Sequence, residues 1–270
     1  MEKYDFWLHK GAAPASRSWK RPLKPIPHLH NDPLRRREWL RGITRSHHDQ
    51  VARTLAGEIL SGALAPGTKL AEAEVLERFE ISRTVLREVM KTLKAKGFVA
   101  AKPRVGTTVL DSTHWNYFDA DVLGWKVDQG LDFGFLSDLA EVRMTIGAAA
   151  ARAAAVRRSA EDIADMRRNL AAMQAADAND LGFADADLAF RQTVARASGN
   201  RLMGSLSGVI ETTLAASFQM QRTSGNGRGK AAEGHARVVD AIEAGDGEGA
   251  ARAMRDIIGE GLARAGTARA

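Results

Sequence analysis

The chain contains 270 residues, 44% of them hydrophobic and 27% charged, which is enough to bury a core and to form one or two domains. It contains no cysteine, which excludes disulfide scaffolds, thiolate zinc sites and cysteine nucleophiles and predicts a reducing, cytoplasmic location. No apolar run approaches the roughly 18 residues of a membrane span, and the charged, aromatic start MEKYDFWLHK is unlike a signal peptide. The sequence therefore predicts neither export nor a membrane partner.

The net charge of +6 is concentrated in two segments. Residues 1–45 contain eleven Lys or Arg against four Asp or Glu, together with five of the seven prolines, and predict a flexible basic N-terminal arm. An upstream-extended start without a function is the alternative for this arm. Residues 82–104 contain seven basic side chains and a single acid, Glu88. So focused a positive patch indicates a nucleic-acid partner.

Hydrophobic periodicity and helix-ending residues predict a compact domain over residues 46–111. The predicted elements are a helix that begins at His47 and ends in the segment Ser61–Gly67, a helix over Ala71–Phe79, a helix over Arg83–Lys96 capped by Ser82, and a hairpin over Phe98–Leu110. This order describes a winged helix-turn-helix, whose third helix enters the major groove of DNA while the hairpin contacts the backbone or minor groove.

The third helix and the hairpin carry the side chains that DNA recognition needs. The candidate DNA-contacting residues are Ser82, Arg83, Thr84, Arg87, Lys102, Arg104 and Gly106. Arg83 and Arg87 are four residues apart and therefore share one helix face, from which a guanidinium can donate two hydrogen bonds to guanine. The hydroxyls at the helix start suit a phosphate. The alternative is that both arginines merely solvate an amphipathic helix.

The remainder of the chain is predicted to be helical. Residues 112–132 are predicted to be a linker, with an aromatic-rich loop after Thr113, and residues 133–270 to be an all-α domain for ligand binding and dimerisation. The six predicted helices are Leu136–Arg158, Ala160–Asp177, Asp180–Ser198, Arg201–Thr223, Gly229–Ala244 and Gly247–Gly266. Their short connections favour an antiparallel bundle, so the predicted fold class is mainly α.

Motifs typical of enzymes are missing from the sequence. It has no Glu-x-x-His pair, no Gly-x-Ser-x-Gly elbow and no evident pair of carboxylates in a loop. The segment Gly225–Lys230 is similar to a phosphate-binding loop, but Ser224 and Ala231 stand where that motif needs glycine and Ser or Thr. We therefore interpret it as a connection between helices and predict that the protein is not an enzyme.

Four segments resemble the DNA-binding domain of the GntR family of bacterial regulators. They are Gly57–Leu70, Glu72–Met90, Gly97–Val99 and Pro103–Thr107, and they occur in the order and at the separations of that family. The resemblance covers residues 46–110 and implies DNA contacts from Ser82, Arg83, Thr84, Arg87 and Gly106. At one position the chain departs from the family: Ala73 stands where many members have arginine.

Four further segments resemble the FadR-type C-terminal domain called FCD, namely Glu141–Arg143, Asp187–Arg191, Ala197–Asn200 and His235–Asp246. With Trp115–Trp125 ahead of them, they look closest to the galactonate-operon repressor group. The resemblance implies a regulator that senses a small organic or sugar acid in the bundle, and a dimer is expected because two-fold symmetric operators match two-fold symmetric proteins. It also implies a divalent metal, which many members hold and which the carboxylate of the ligand completes.

The metal ligands implied by the resemblance are incomplete in this chain. Asp187 and His235 match two of them, but Arg191 replaces the histidine of the Asp-x-x-x-His pattern and Ile257 replaces the last histidine. The sequence therefore predicts no required cofactor and no tight zinc site. Instead Arg191 can bind the effector carboxylate while Asp187 holds its guanidinium, with Arg143 as a second cation.

Ordinary structural roles are the alternative for each of these effector-site candidates. Asp187 and Arg191 can form a helix salt pair, His235 can lie on an exposed first turn, and Arg143 can pair with a nearby acid. Taken together, the sequence predicts a dimeric DNA-binding repressor that leaves a palindromic operator when a small acid binds. The alternatives are a DNA-binding protein whose bundle serves assembly only, and a helical-bundle metalloenzyme.

Overall fold

The computed structural model describes residues 46–102, 106–176, 180–220 and 228–267. Its helices are α1 His47–Leu60, α2 Glu72–Phe79, α3 Arg83–Ala95, α4 Ala120–Asp128, α5 Phe133–Arg157, α6 Ala160–Ala175, α7 Asp180–Ala197, α8 Arg201–Met220, α9 Arg228–Ala244 and α10 Gly247–Thr267. Its strands are β1 Lys69–Leu70, β2 Val99–Lys102 and β3 Gly106–Val109, and a 3-10 turn covers Ser112–His114. The predicted basic arm, Arg104, and residues 221–227 of the segment before α9 lie outside the described residues.

The first three helices pack with a small antiparallel sheet, whose strand order is β1, β3, β2. Lys102, the last residue of β2, pairs with Gly106, the first residue of β3, and β1 pairs with the other side of β3. Leu55, Leu86, Leu93 and Phe98 are almost fully buried in the shared core. Helix-turn-helix and wing therefore form one unit, whose third strand, β1, was not predicted.

Local side-chain chemistry sets the boundaries of the recognition helix α3. Helix α2 ends at Phe79, and the next residue, Glu80, adopts a left-handed conformation with φ of 51°. Ser82 then caps α3, because its hydroxyl accepts a hydrogen bond from the backbone N–H of Val85 at 3.3 Å. Gly97, with φ of +82°, follows the last turn of α3, as expected for a glycine that ends a helix.

The predicted loop after Thr113 is wrong over Ala120–Asp128, which forms helix α4. Asp119 caps this helix by accepting hydrogen bonds from the backbone N–H groups of Asp121 and Val122. Val122 and Trp125 are buried in the core of the DNA-binding unit, where the Trp125 ring lies 5.9 Å from that of Phe98. The helix was missed because its stability comes from these long-range contacts rather than from its own short pattern.

Helices α5 to α10 form a bundle around a second core. The strongest packing joins α5 to α10, and consecutive helices pack in the pairs α6–α7, α7–α8 and α9–α10. Alanines on α5, including Ala151 and Ala154, are fully buried and let α10 approach closely. The prediction of a mainly α fold, with a winged helix-turn-helix followed by a helical bundle, is confirmed. No helix in the described ranges combines the length and hydropathy of a membrane span.

Replacing Gly234 by alanine is expected to destabilise the bundle by about 1 to 3 kcal/mol. A Cβ atom at this position of α9 would lie 2.3 Å from Cγ2 of Ile257 on α10, so the helices would have to separate. Gly259→Ala is the matched control, because its Cβ meets nothing within 4 Å and alanine improves helix propensity. In urea unfolding, the free energy of unfolding should therefore fall for Gly234→Ala and rise for Gly259→Ala. A Gly234→Ala protein as stable as the parent would contradict close packing of α9 on α10.

Candidate functional site

The outer face of α3 presents the predicted DNA-contacting residues. Ser82, Arg83, Thr84 and Arg87 are all exposed. Within the part of the chain that the structure describes, neither Arg83 nor Arg87 forms a hydrogen bond or ion pair, so both guanidinium groups keep all their donors. By contrast, Lys91 on the next turn is paired with Glu88 at 2.8 Å. The two arginines at the start of α3 are thus available for base edges.

Two of the predicted wing residues lie at the facing ends of strands β2 and β3. Lys102 ends β2, and Gly106 begins β3 with φ of +94°, a conformation that favours glycine. Gly106 is exposed, and a Cβ built on it would meet no atom within 4 Å. Its backbone is therefore accessible to a DNA strand, as the sequence predicted for this position.

A buried lysine, which the sequence analysis did not single out, joins the end of the recognition helix to α4. Lys96 is only 9% exposed, and its ammonium donates hydrogen bonds to Asp119 at 2.6 Å and Asp121 at 2.8 Å. Burial opposes the charged form, but these two hydrogen bonds outweigh burial and raise the pKa of Lys96. The ammonium also lies 5.4 Å from the centre of the Trp125 ring. Recognition helix and α4 are therefore firmly connected.

Three of the four predicted effector-site residues meet inside the bundle around the carboxylate of Asp187. Oδ1 of Asp187 accepts hydrogen bonds from Nε of Arg191 at 2.9 Å and from Nε2 of His235 at 2.6 Å. The other ring nitrogen of His235 lies 2.7 Å from the carbonyl oxygen of Ala231. His235 is 2% exposed, so the alternative of an exposed first turn is wrong.

The electrostatics of this group favour charged Asp187 and Arg191. Burial disfavours ionisation of Asp187, but the charges of Arg191 and His235 and the hydrogen bond from His235 hold the pKa of its carboxyl well below the usual range. Burial also disfavours the charge of Arg191, but the charges of Asp187 and Glu211 raise its pKa. The site is therefore a preorganised ionic group in a largely apolar bundle.

The fourth predicted residue, Arg143, is held by a carboxylate that the sequence analysis missed. Glu211 on α8 accepts two parallel hydrogen bonds from Arg143, Nε to Oε1 at 2.8 Å and Nη2 to Oε2 at 2.7 Å. Both side chains are 11% exposed, and Oε2 of Glu211 also lies 3.7 Å from Nε of Arg191. Glu211 therefore links the two arginines, so that residues from α5, α7, α8 and α9 form one ionic cluster.

A small recess of about 20 Å³, with room for about one water molecule, adjoins this cluster. Its polar lining comes from Arg191, Glu211 and Ser207, and its apolar lining includes Gly147, Met254 and Ile258. The chemistry of this lining suits a small organic anion, which would have to displace a lining side chain in order to enter.

The residues of the cluster do not form a complete divalent-metal site. Asp187 and His235 face each other at hydrogen-bond distance, and Arg191 brings a positive charge to the same carboxylate oxygen. Ile257 is packed against Gly234, beside His235, and offers no ligand atom. Over the described ranges, no three His, Cys, Asp or Glu side chains come together as metal ligands, whereas structural zinc takes four. That no cofactor is required stays a prediction.

A sequence signal for Glu211 existed, although it was not used. Arg201 and Glu211 are the only charged residues among the 20 residues of α8. A lone acid in an otherwise uncharged, amphipathic helix of a bundle needs a partner when the helix is packed. The partner itself was not predictable, because Arg143 lies 68 positions away.

With this geometry the chain can be compared with known proteins. Residues 47–109 match the family described as bacterial regulatory proteins, gntR family, and residues 138–260 match the FCD domain. The galactonate operon transcriptional repressor of Escherichia coli (strain K12) is 31% identical over 224 residues, covering 82% of this chain and 98% of the repressor. The chain therefore belongs to the GntR family of bacterial transcriptional regulators and carries an FCD domain. As predicted, it is a regulator and not an enzyme.

Two further similarities agree with this assignment. The uncharacterized HTH-type transcriptional regulator YieP of E. coli (strain K12) is 29% identical over 211 residues, covering 77% of this chain and 90% of that protein. The solved structure of Lar, which controls the agr system of Listeria monocytogenes, matches with a TM-score of 0.54 at 21% identity, covering 81% of this chain and 95% of Lar. At that identity the second similarity supports the fold alone.

Proposed function

We propose that this regulator binds a palindromic operator as a homodimer, represses transcription, and is released by a small carboxylate or sugar acid that binds in the bundle without a divalent metal. The observation that supports an acidic effector is the burial of two guanidinium groups, Arg143 and Arg191, of which Arg191 lines the recess. A guanidinium binds a carboxylate through two parallel hydrogen bonds, so such a pair is suited to an acid.

Two-fold symmetry underlies the proposed mode of action. A palindromic operator matches a two-fold symmetric protein, whose two α3 helices enter major grooves about one helical turn apart. The acid needs only to favour a dimer geometry in which these helices no longer fit both half-sites. Light scattering of the chain on a selected operator tests the stoichiometry, and one chain per operator would contradict the dimer.

A thermal-shift screen of the full chain against sugar acids and other small carboxylates tests the effector. Galactonate comes first, because the E. coli relative is named for the galactonate operon. We expect one acid to raise the unfolding midpoint equally before and after treatment with a chelator, and to release the operator. A shift that disappears on chelation would contradict the metal-free site.

Replacing Arg87 by alanine is expected to weaken operator binding by about 1 to 3 kcal/mol, roughly 5- to 150-fold, and to relax sequence preference. The exposed guanidinium would otherwise bind a guanine edge, and it has no competing partner among the described residues. Fluorescence anisotropy with operator and scrambled duplexes measures both effects.

Lys91→Ala is the matched control for Arg87→Ala. Lys91 lies one turn further along α3, is 73% exposed, and is already paired with Glu88. Its removal should weaken binding to both duplexes by the same factor, and by less than Arg87→Ala weakens binding to the operator. Equal losses on operator and scrambled DNA for Arg87→Ala would show that α3 does not read bases through this residue.

One observation favours a second candidate function, in which the bundle serves assembly and binds no effector. Arg143 already has a carboxylate partner in Glu211, so the cluster satisfies its own charges. On that account no acid would shift the unfolding midpoint or release DNA.

A further inference from the structure

We propose that Glu211 is an internal ligand: its carboxylate occupies the position at Arg143 and Arg191 that the effector carboxylate takes, and the effector acts by displacing it. This inference rests on the proposed function, since it requires that an acid enter the bundle. It assigns Glu211 a role in regulation and restricts the effector to small acids that present a carboxylate.

The contacts of Glu211 are those of a bound carboxylate. Two parallel hydrogen bonds from Arg143 at 2.7 and 2.8 Å are the arrangement in which arginine binds a free carboxylate ligand. The same carboxylate forms part of the recess lining, where Arg191 and Ser207 supply further polar groups. Ser207 and Glu211 are one turn apart on α8 and therefore share a face. An acid that entered the recess would meet Arg191 and compete directly with Glu211.

Charge complementarity defines the chemical class of the ligand. With Glu211 in place, its carboxylate is bound by the guanidinium group of Arg143 and lies 3.7 Å from Nε of Arg191. Once Glu211 leaves, these guanidinium groups lack that negative charge, and another carboxylate restores it. The exchange therefore selects a carboxylate and needs no metal.

Stability alone is a weak reason to keep this ion pair. A buried ion pair contributes little compared with well-packed apolar residues of the same size, because both charges must be removed from water. Asp187 already neutralises Arg191, so an apolar contact between α5 and α8 would serve packing equally well. A carboxylate that can be exchanged for a ligand gives the pair a function.

Helix α8 connects this exchange to the DNA-binding unit. Ile210, the neighbour of Glu211, is 1% exposed and packs with Leu131 and against Val127 of α4. Asp128, the last residue of α4, forms an ion pair with Arg53 of α1. Releasing Glu211 from its arginines therefore frees the helix that packs against α4.

The test removes Glu211 and supplies a free carboxylate in its place. We expect Glu211→Ala to lower the unfolding midpoint of the full chain. Sodium acetate should then raise that midpoint by several degrees more than sodium chloride of equal ionic strength, because acetate fills the vacated position. Wild-type protein should respond alike to the two salts. Calorimetric titration should give an acetate affinity at least about tenfold higher for Glu211→Ala than for wild type.

The matched control is Glu248→Ala. Glu248 accepts the same two hydrogen bonds from Arg152, between α10 and α5, but both side chains are exposed. This variant should respond alike to acetate and chloride. Should Glu211→Ala not fold, Glu211→Gln keeps the shape without the charge and should still bind acetate more tightly than wild type. Equal acetate affinity of the folded Glu211 variant and wild type would overturn the inference.

The two proposals fail in different ways. If a sugar acid releases wild-type protein from its operator but acetate does not bind Glu211→Ala, displacement of Glu211 is wrong and the effector proposal stands. If acetate binds Glu211→Ala but no acid releases the operator, the regulatory role of Glu211 is overturned together with the proposed effector response, and only an anion site remains.

Discussion

Replacing Arg191 by methionine should abolish the response to the acidic effector and lower the free energy of unfolding by about 3 kcal/mol. The guanidinium is 9% exposed and is the cation that both the recess and Asp187 share. Removing it leaves a carboxylate inside the bundle with a smaller positive charge to balance it. This loss of unfolding free energy lies at the lower end of the range for a broken buried ion pair. The reason is that His235 still holds Asp187, whose side chain is 27% exposed.

The same variant should change how stability depends on pH. The pKa of Asp187 is held below its unfolded value, so ionised Asp187 contributes stability above about pH 4 that is lost as the pH falls further. Without Arg191 that pKa rises and less of this stability is present at neutral pH. The difference in free energy of unfolding between wild type and Arg191→Met should therefore be largest at neutral pH and should become smaller in acid.

Urea unfolding, effector titration and operator binding measure the three expected effects of Arg191→Met separately. Operator binding without effector should be retained, because α3 is untouched. Arg152→Met is the control, since Arg152 makes a similar pair with Glu248 on the exposed face of the bundle and should cost less than about 1 kcal/mol. A normal effector response in Arg191→Met would remove Arg191 from the effector site.

Much of the fold was predictable because its boundaries are local. The predicted starts of α6, α7, α8 and α10 are the observed ones, and the predicted end of α9 is also observed. Ser159 explains one of them: its hydroxyl and the Asp162 carboxylate form a capping box at the start of α6. Gly199 and Gly245, with φ of +65° and +78°, allow the chain to turn after α7 and α9. Such signals are visible in any short stretch of sequence.

The candidate site was only half predictable because its other half depends on distant partners. Asp187 and Arg191 are four residues apart on α7, so their contact followed from helix geometry. The partners of Arg143 and Lys96, by contrast, are set by how helices pack, and no local pattern reveals them. The same reason explains the missed helix α4, which is stabilised by the core it joins.

These missed contacts lie along one route between the two functional regions. Lys96 joins the end of α3 to α4, α4 packs against α8, and Glu211 of α8 reaches the ionic cluster. Helix α4 is thus part of the DNA-binding core and a neighbour of the helical bundle at the same time. A conformational change at Glu211 has a physical path to the recognition helix through packed and hydrogen-bonded residues.

Gly97→Ala should interrupt this route at the recognition helix and cost about 3 kcal/mol or more in stability. Gly97 has φ of +82°, and a Cβ atom on it would lie 1.9 Å from the carbonyl oxygen of His114. That oxygen belongs to the backbone leading into α4, so the collision cannot be relieved by a rotating side chain. We expect operator binding to be lost as α3 and the His114 segment separate.

Gly62→Ala separates the two contributions to this cost. Gly62 has the same φ of +82°, but its Cβ would meet nothing within 4 Å, so only backbone strain of about 1 kcal/mol is expected. Urea unfolding and operator binding of both variants provide the comparison. If the two alanines cost the same, contact between α3 and the chain entering α4 is not what holds the recognition helix. A larger cost at Gly97, with DNA binding lost there and kept in Gly62→Ala, would show that contact with the chain entering α4 holds the recognition helix in place.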